Sequence, residues 1–125
     1  YKTVSLEEFV EYSKSMFVYW TEDDFAASFR KMLTIEQFRS EEMQGLYQQY
    51  LSSGPATYVK DLFESMGIAH AEENAVRFYA TMYFYYSVYD GADDKEKVKN
   101  EFASAISNMA QEWIKQPKLT QIRKS

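Results

Sequence analysis

The residues able to do chemistry are few. His70 is the only histidine, in Ala69-His-Ala-Glu-Glu73, and there is no cysteine. A histidine- or thiolate-based metal site, or a di-iron bundle with its repeated Glu-x-x-His, needs several such donors converging. None can be assembled, so His70 reads as a helix-start or surface residue. The carboxylates come in groups: Glu22-Asp23-Asp24, Glu41-Glu42, Glu72-Glu73 and Asp93-Asp94. Each group falls where a helix is expected to begin, and there the dipole and the free amides favour negative charge without any catalysis. Paired acids for hydrolysis would have to project into one cleft, and no spacing here does that. There is no P-loop, no G-x-G-x-x-G and no G-x-S-x-G. The sequence indicates neither an enzyme nor a cofactor or metal site.

Aromatic side chains are what the chain has in surplus. In Ala80-Thr-Met-Tyr-Phe-Tyr-Tyr-Ser-Val-Tyr-Asp-Gly91, four aromatics stand in a row, with Tyr79 and Tyr89 on either side. A tyrosine carries an apolar ring and a hydroxyl that needs a partner. A core built for stability alone would use Leu and Ile. Tyr19, Tyr47, Tyr50, Tyr58, Tyr79, Tyr83 and Tyr86, with Trp20, suit the wall of an amphipathic cavity or interface. Ordinary helix-face packing is the competing reading for each ring.

These residues need helices to position them. The chain has 125 residues, 46% of them hydrophobic, with four Gly and two Pro. That is one compact domain, too poor in turn formers for an all-β fold. A net charge of −5 disfavours binding to phosphate backbones. The basic tail from Lys115 to Lys124 reads as a solvated end. No apolar run approaches the ~20 residues that cross a bilayer, and no signal peptide is evident. Absence of cysteine suits a reducing, cytoplasmic setting. The chain begins at Tyr1 rather than Met, so a fragment or a processed product is expected.

Helical periodicity runs through the whole chain. Ser5-Leu-Glu-Glu8 is a capping box for a first helix with Leu6, Phe9, Val10, Tyr12, Met16, Phe17 and Trp20 on one face. Thr21 is expected to cap a second, with the stripe Phe25, Phe29, Met32 and Leu33. Ser40 starts a third, with Met43, Leu46, Tyr47, Tyr50 and Leu51. Ser52-Ser-Gly-Pro55 predicts a kink or short break, after which Tyr58, Val59, Leu62, Phe63 and Met66 resume the pattern. Gly67-Ile68 resembles a left-handed C-cap. A fourth helix runs from about Ala71 to Asp90 and ends at Gly91. A fifth, capped by Asp93 or Asp94, continues to about Lys115, before Pro117. The expected fold is an all-α bundle of about five or six helices.

The last two helices have more apolar surface than one contact needs. The fourth is apolar around most of its circumference. Arg77 is its central polar residue and can pair with an acid, meet a ligand carboxylate or reach solvent; a structural ion pair is the preferred role. The fifth extends its main stripe through Ala103, Ala110 and Ile114. Phe84, Val88, Ala103, Ala110 and Ile114 are therefore expected at a two-fold interface, with two helix pairs forming a four-helix bundle between protomers of a homodimer.

The order of segments resembles a known family. Met32-Leu-Thr-Ile-Glu-Gln-Phe38, then Ser40-Glu-Glu-Met-Gln-Gly-Leu-Tyr-Gln-Gln-Tyr-Leu51, then Gly54-Pro55 and a resumed helix, is similar to the C-terminal regulatory domain of TetR-family transcriptional regulators. The resemblance implies a ligand-sensing and dimerisation domain. It also implies that DNA is bound only through an N-terminal helix-turn-helix domain absent from this chain. Ligand binding would then alter the spacing of the recognition helices. Expected lining residues are Met16, Trp20, Phe29, Leu33, Tyr47, Tyr58, Phe63, Phe78, Met82 and Tyr86, around a cavity above the ~300 Å³ lower bound of common ligand sites. No charge cluster accompanies them, so the ligand is expected to be small, apolar or aromatic, and neutral or weakly charged. A helical protein–protein interaction module without a pocket is the alternative.

Overall fold

The computed structural model describes residues 4–115, and among these there are six helices and no strand. They are α1 (Leu6–Glu22), α2 (Asp24–Glu36), α3 (Glu41–Leu51), α4 (Ser53–Ser65), α5 (Ala71–Gly91) and α6 (Lys95–Lys115). Each helix packs on the next, and α6 closes the ring by returning to α1. The long α5 is the hub, because α1, α4 and α6 all rest on it. The all-α bundle expected from the periodicity is what forms. Pro117 and the rest of the basic tail lie outside the described residues.

Caps account for most of the helix boundaries. At Ser5 both halves of the capping box are made: Glu8 N–H donates to the Ser5 hydroxyl, and Ser5 N–H to the Glu8 carboxylate, each at 3.1 Å. Thr21 does not cap the second helix as expected. It lies inside α1, buried, and its hydroxyl donates to the Phe17 carbonyl at 2.7 Å. Asp23 takes the cap instead, with extended backbone and its carboxylate accepting from Ala26 N–H at 2.9 Å. Asp94 caps α6 through Lys97 N–H. The expected break falls at Ser52, and Pro55 then sits in the first turn of α4, where a missing amide costs nothing. Gly67 is left-handed, φ 72°. Its N–H reaches Glu64 O and that of Ile68 reaches Phe63 O, a complete Schellman motif with Ile68 buried behind it.

The aromatic run of α5 packs into a core of rings. At one end Phe9, Phe63, Phe78 and Trp113 touch pairwise, with centroids 4.7–6.4 Å apart. At the other, Phe17 stacks on Phe102 and on Tyr86 and meets Tyr89 edge-on. A smaller cluster of Leu33, Tyr47 and Leu51, with Phe29, Met43 and Leu46 against it, joins α2 to α3.

One stripe differs from expectation. The buried face of α2 is Ala26, Ala27, Arg30 and Leu33, while Phe25 and Met32 are exposed. Small side chains let α2 approach its neighbours closely, so the buried face is rotated by about one residue from the large ones. On α5, Val76, Tyr83 and Phe84 are exposed in the single chain.

Candidate ligand-binding cavity

Both α1 and α4 rest on α5, but they do not pack closely on each other. The Phe9–Phe63 ring contact closes the gap at one end. Elsewhere it stays open as a cavity of about 130 Å³, accessible from solvent on one side. Its floor is Phe78, Tyr79, Met82 and Tyr86 of α5. One wall is Phe9, Tyr12, Ser13, Met16 and Trp20 of α1; the other is Tyr50 of α3 with Pro55, Tyr58 and Val59 of α4. The break before Pro55 sets the α4 wall apart from α3.

Six of the ten expected lining residues border this space: Met16, Trp20, Tyr58, Phe78, Met82 and Tyr86. The other four lie elsewhere. Phe63 is fully buried in the four-ring cluster. Leu33, Tyr47 and Phe29 belong to the α2–α3 cluster, because the rotation of α2 turns Leu33 toward α3. The cavity is also smaller than the ~300 Å³ expected of a common ligand site. It is close to the ~150 Å³ at which an apolar cavity accepts a benzene-sized molecule.

The polar groups of the lining differ in their partners. The buried Ser13 hydroxyl donates to Phe9 O at 2.8 Å, and the buried Tyr79 hydroxyl to Leu51 O at 2.5 Å. Burial pushes the hydroxyls of Tyr79 and Tyr86 far above the ordinary tyrosine range, so both stay neutral. Beside the cavity, Tyr47 and Tyr83 join hydroxyl to hydroxyl.

The buried charge next to this site carries no motif and was not anticipated from the sequence. Arg30 is 5% exposed. Its two terminal nitrogens donate to both carboxylate oxygens of Asp90 at 2.9 and 2.8 Å, and its Nε donates to Trp20 O at 3.0 Å. Its guanidinium lies over the Tyr86 ring, 4.9 Å from the centroid. One side chain thus ties α2 to the end of α1 and the last turn of α5. The available signal was its spacing, since Arg30 falls in register with Ala26, Ala27 and Leu33.

The remaining expected residues are dispersed. Arg77 pairs with Glu73 at 3.1 Å on an exposed face. His70 is exposed, with a left-handed backbone (φ 54°) just before α5. Phe84 is 60% exposed, Val88 and Ala103 are half-buried, and Ile114 is 62% exposed. Ala110 is packed inside the chain's own core. Lys99 of α6 pairs with Glu22 of α1 at 2.6 Å, and Ala103 and Ala110 follow on the same side of the helix. Much of the broad apolar arc of α6 therefore faces α1.

Among the described residues no group of three or more His, Cys, Asp or Glu could hold a metal ion. No described helix is long and apolar enough to cross a membrane. No protein-family model, curated protein or solved structure matches the chain.

Proposed function

We propose that this chain is the ligand-sensing and dimerisation domain of a TetR-like cytoplasmic transcriptional regulator, not an enzyme. The observation that carries the reading is the aromatic cavity floored by α5, bordered by six residues that sequence reasoning had assigned to a ligand. Its size favours a benzene-sized apolar molecule. Arg30 and Asp90 neutralise each other beside it, so a neutral ligand is favoured. The order of helices and the long α5–α6 hairpin support the family reading. DNA would be bound only by a separate domain. Exposed Phe84 and half-buried Val88 on α5 support self-association. Sedimentation that finds only monomer at high micromolar concentration would refute that part.

Toluene titrated calorimetrically into the chain tests the sensor reading. It should bind saturably at one site, and Val59→Phe, which enlarges a lining side chain, should abolish binding while the helical circular dichroism is kept. Equal binding to both proteins would contradict the reading. The second reading, a protein-interaction module, is favoured by the exposed rings of Tyr12, Tyr50 and Tyr58 at the same cavity. It predicts no toluene binding at all.

A further inference from the structure

Resting on the cavity reading above, we propose that the Tyr86 hydroxyl is the hydrogen-bonding anchor of the site, and that the ligand is a neutral monocyclic aromatic of the phenol class. Tyr86 is only 5% exposed and borders the cavity. Among the described residues its hydroxyl has no hydrogen-bond partner, unlike the other buried hydroxyls of the lining. The Ser13 proton is committed to Phe9 O and the Tyr79 proton to Leu51 O. Tyr12, Tyr50 and Tyr58 are exposed, so water serves their hydroxyls.

No fully enclosed side-chain oxygen or nitrogen among the described residues lacks a partner. The Tyr86 oxygen therefore touches open space rather than packed protein. Side chains on a helix lean toward its N-terminus, which carries this hydroxyl over Met82 of the cavity floor and Tyr83 of the adjoining cleft. Tyr86 also borders the cleft between α2 and α5 and is the one residue common to both spaces. Its ring is held by stacking on Phe17 and by the Arg30 guanidinium, so the hydroxyl is positioned before any ligand arrives.

A neutral buried hydroxyl can donate to, or accept from, a ring hydroxyl, and a mostly apolar lining that holds no cation makes burial of an anion costly. One buried, unpartnered hydroxyl in about 130 Å³ of mostly apolar space leaves room for one ring with one polar atom. An aromatic hydroxyl meets that description. A carboxylate would find no cation among the lining residues, and the nearby Arg30 is already paired with Asp90.

Phenol and toluene have nearly the same shape and differ in hydroxyl against methyl. Calorimetric titration of both into the chain and into Tyr86→Phe separates the anchor from the cavity. Phenol affinity should fall roughly fivefold in Tyr86→Phe, with toluene unchanged within about twofold. Tyr79→Phe, whose hydroxyl is already paired, should not discriminate between the two probes. Equal loss of both probes, or loss of neither, in Tyr86→Phe overturns the anchor and leaves the cavity reading standing. Failure of the unmutated chain to bind either probe overturns both. The unmutated chain offers a check that needs no variant. Bound phenol should give intermolecular NOEs to the Tyr86 ring and the Met82 methyl, and NOEs to other residues alone would also overturn the anchor.

Discussion

Arg30 is the only charged residue in the buried class among the described residues, and its environment sets the cost of disturbing it. The guanidinium is nearly enclosed, whereas the Asp90 side chain is 29% exposed. Removing the acid leaves a buried cation without its bidentate partner, while removing the cation leaves an acid that water can reach. Asp90→Asn should lower stability by about 2 kcal/mol in urea unfolding, less than a fully buried pair because solvent reaches the acid. Adding Arg30→Met should recover part of that loss. A double variant weaker than Asp90→Asn alone would contradict this account. Arg30 shows where sequence reasoning stopped at this scale. Phe25 and Phe29 dominated the apparent stripe of α2, but close approach selected the alanines, and Arg30 went inward with them. The tyrosines of α5 were readable as a group. Which hydroxyl would be left unpartnered was not, because that depends on acceptors such as Leu51 O, which the fold brings to Tyr79 from 28 residues away.

The helices themselves were largely legible, because their signals are local. The capping box at Ser5, the Schellman glycine at 67 and the break ahead of Pro55 each lie within a few residues of what they control. Thr21 and Asp23 are both competent caps, and burial of Thr21 within the last turn of α1, a tertiary fact, decided between them. Gly45 and Gly54 offer an internal comparison. Gly45 lies in the middle of α3, with open space where a Cβ would go. Gly45→Ala should stabilise the chain by about 0.5–1 kcal/mol. At Gly54 a Cβ would run into the Gln49 carbonyl oxygen, where α4 folds back on the end of α3. Gly54→Ala should therefore destabilise by about 1–3 kcal/mol, the range for overpacking. Thermal unfolding of both variants checks the opposite signs, and a stabilising Gly54→Ala would mean that the break is more pliable than described.

At the scale of the whole molecule, buried tyrosines make stability depend on alkaline pH. In the unfolded chain a tyrosine ionises near pH 10. Burial holds the protons of Tyr79, Tyr86 and Tyr89 to higher pH in the fold. Lys99 keeps its proton too, held by hydrogen bonds to Glu22 and Glu96. All four pKa values are raised on folding, so their contribution is complete below about pH 10 and is lost as pH rises toward the shifted values. Each proton kept only by the folded chain tilts stability by about 1.4 kcal/mol per pH unit. Urea midpoints should stay level from neutrality to about pH 9.5 and then fall, and Tyr86→Phe should make the fall shallower by one proton. An unchanged slope in that variant would show that Tyr86 ionises as readily folded as unfolded.

We propose that the space between α1, α4 and α5 is a ligand site and not a packing defect. A crystal structure of the chain grown with toluene tests it most directly. One toluene ring should lie in contact with Phe78, Met82 and Val59, with α5 unmoved beneath it. An empty cavity, with toluene only on exposed rings such as Phe25 or Phe84, would contradict it.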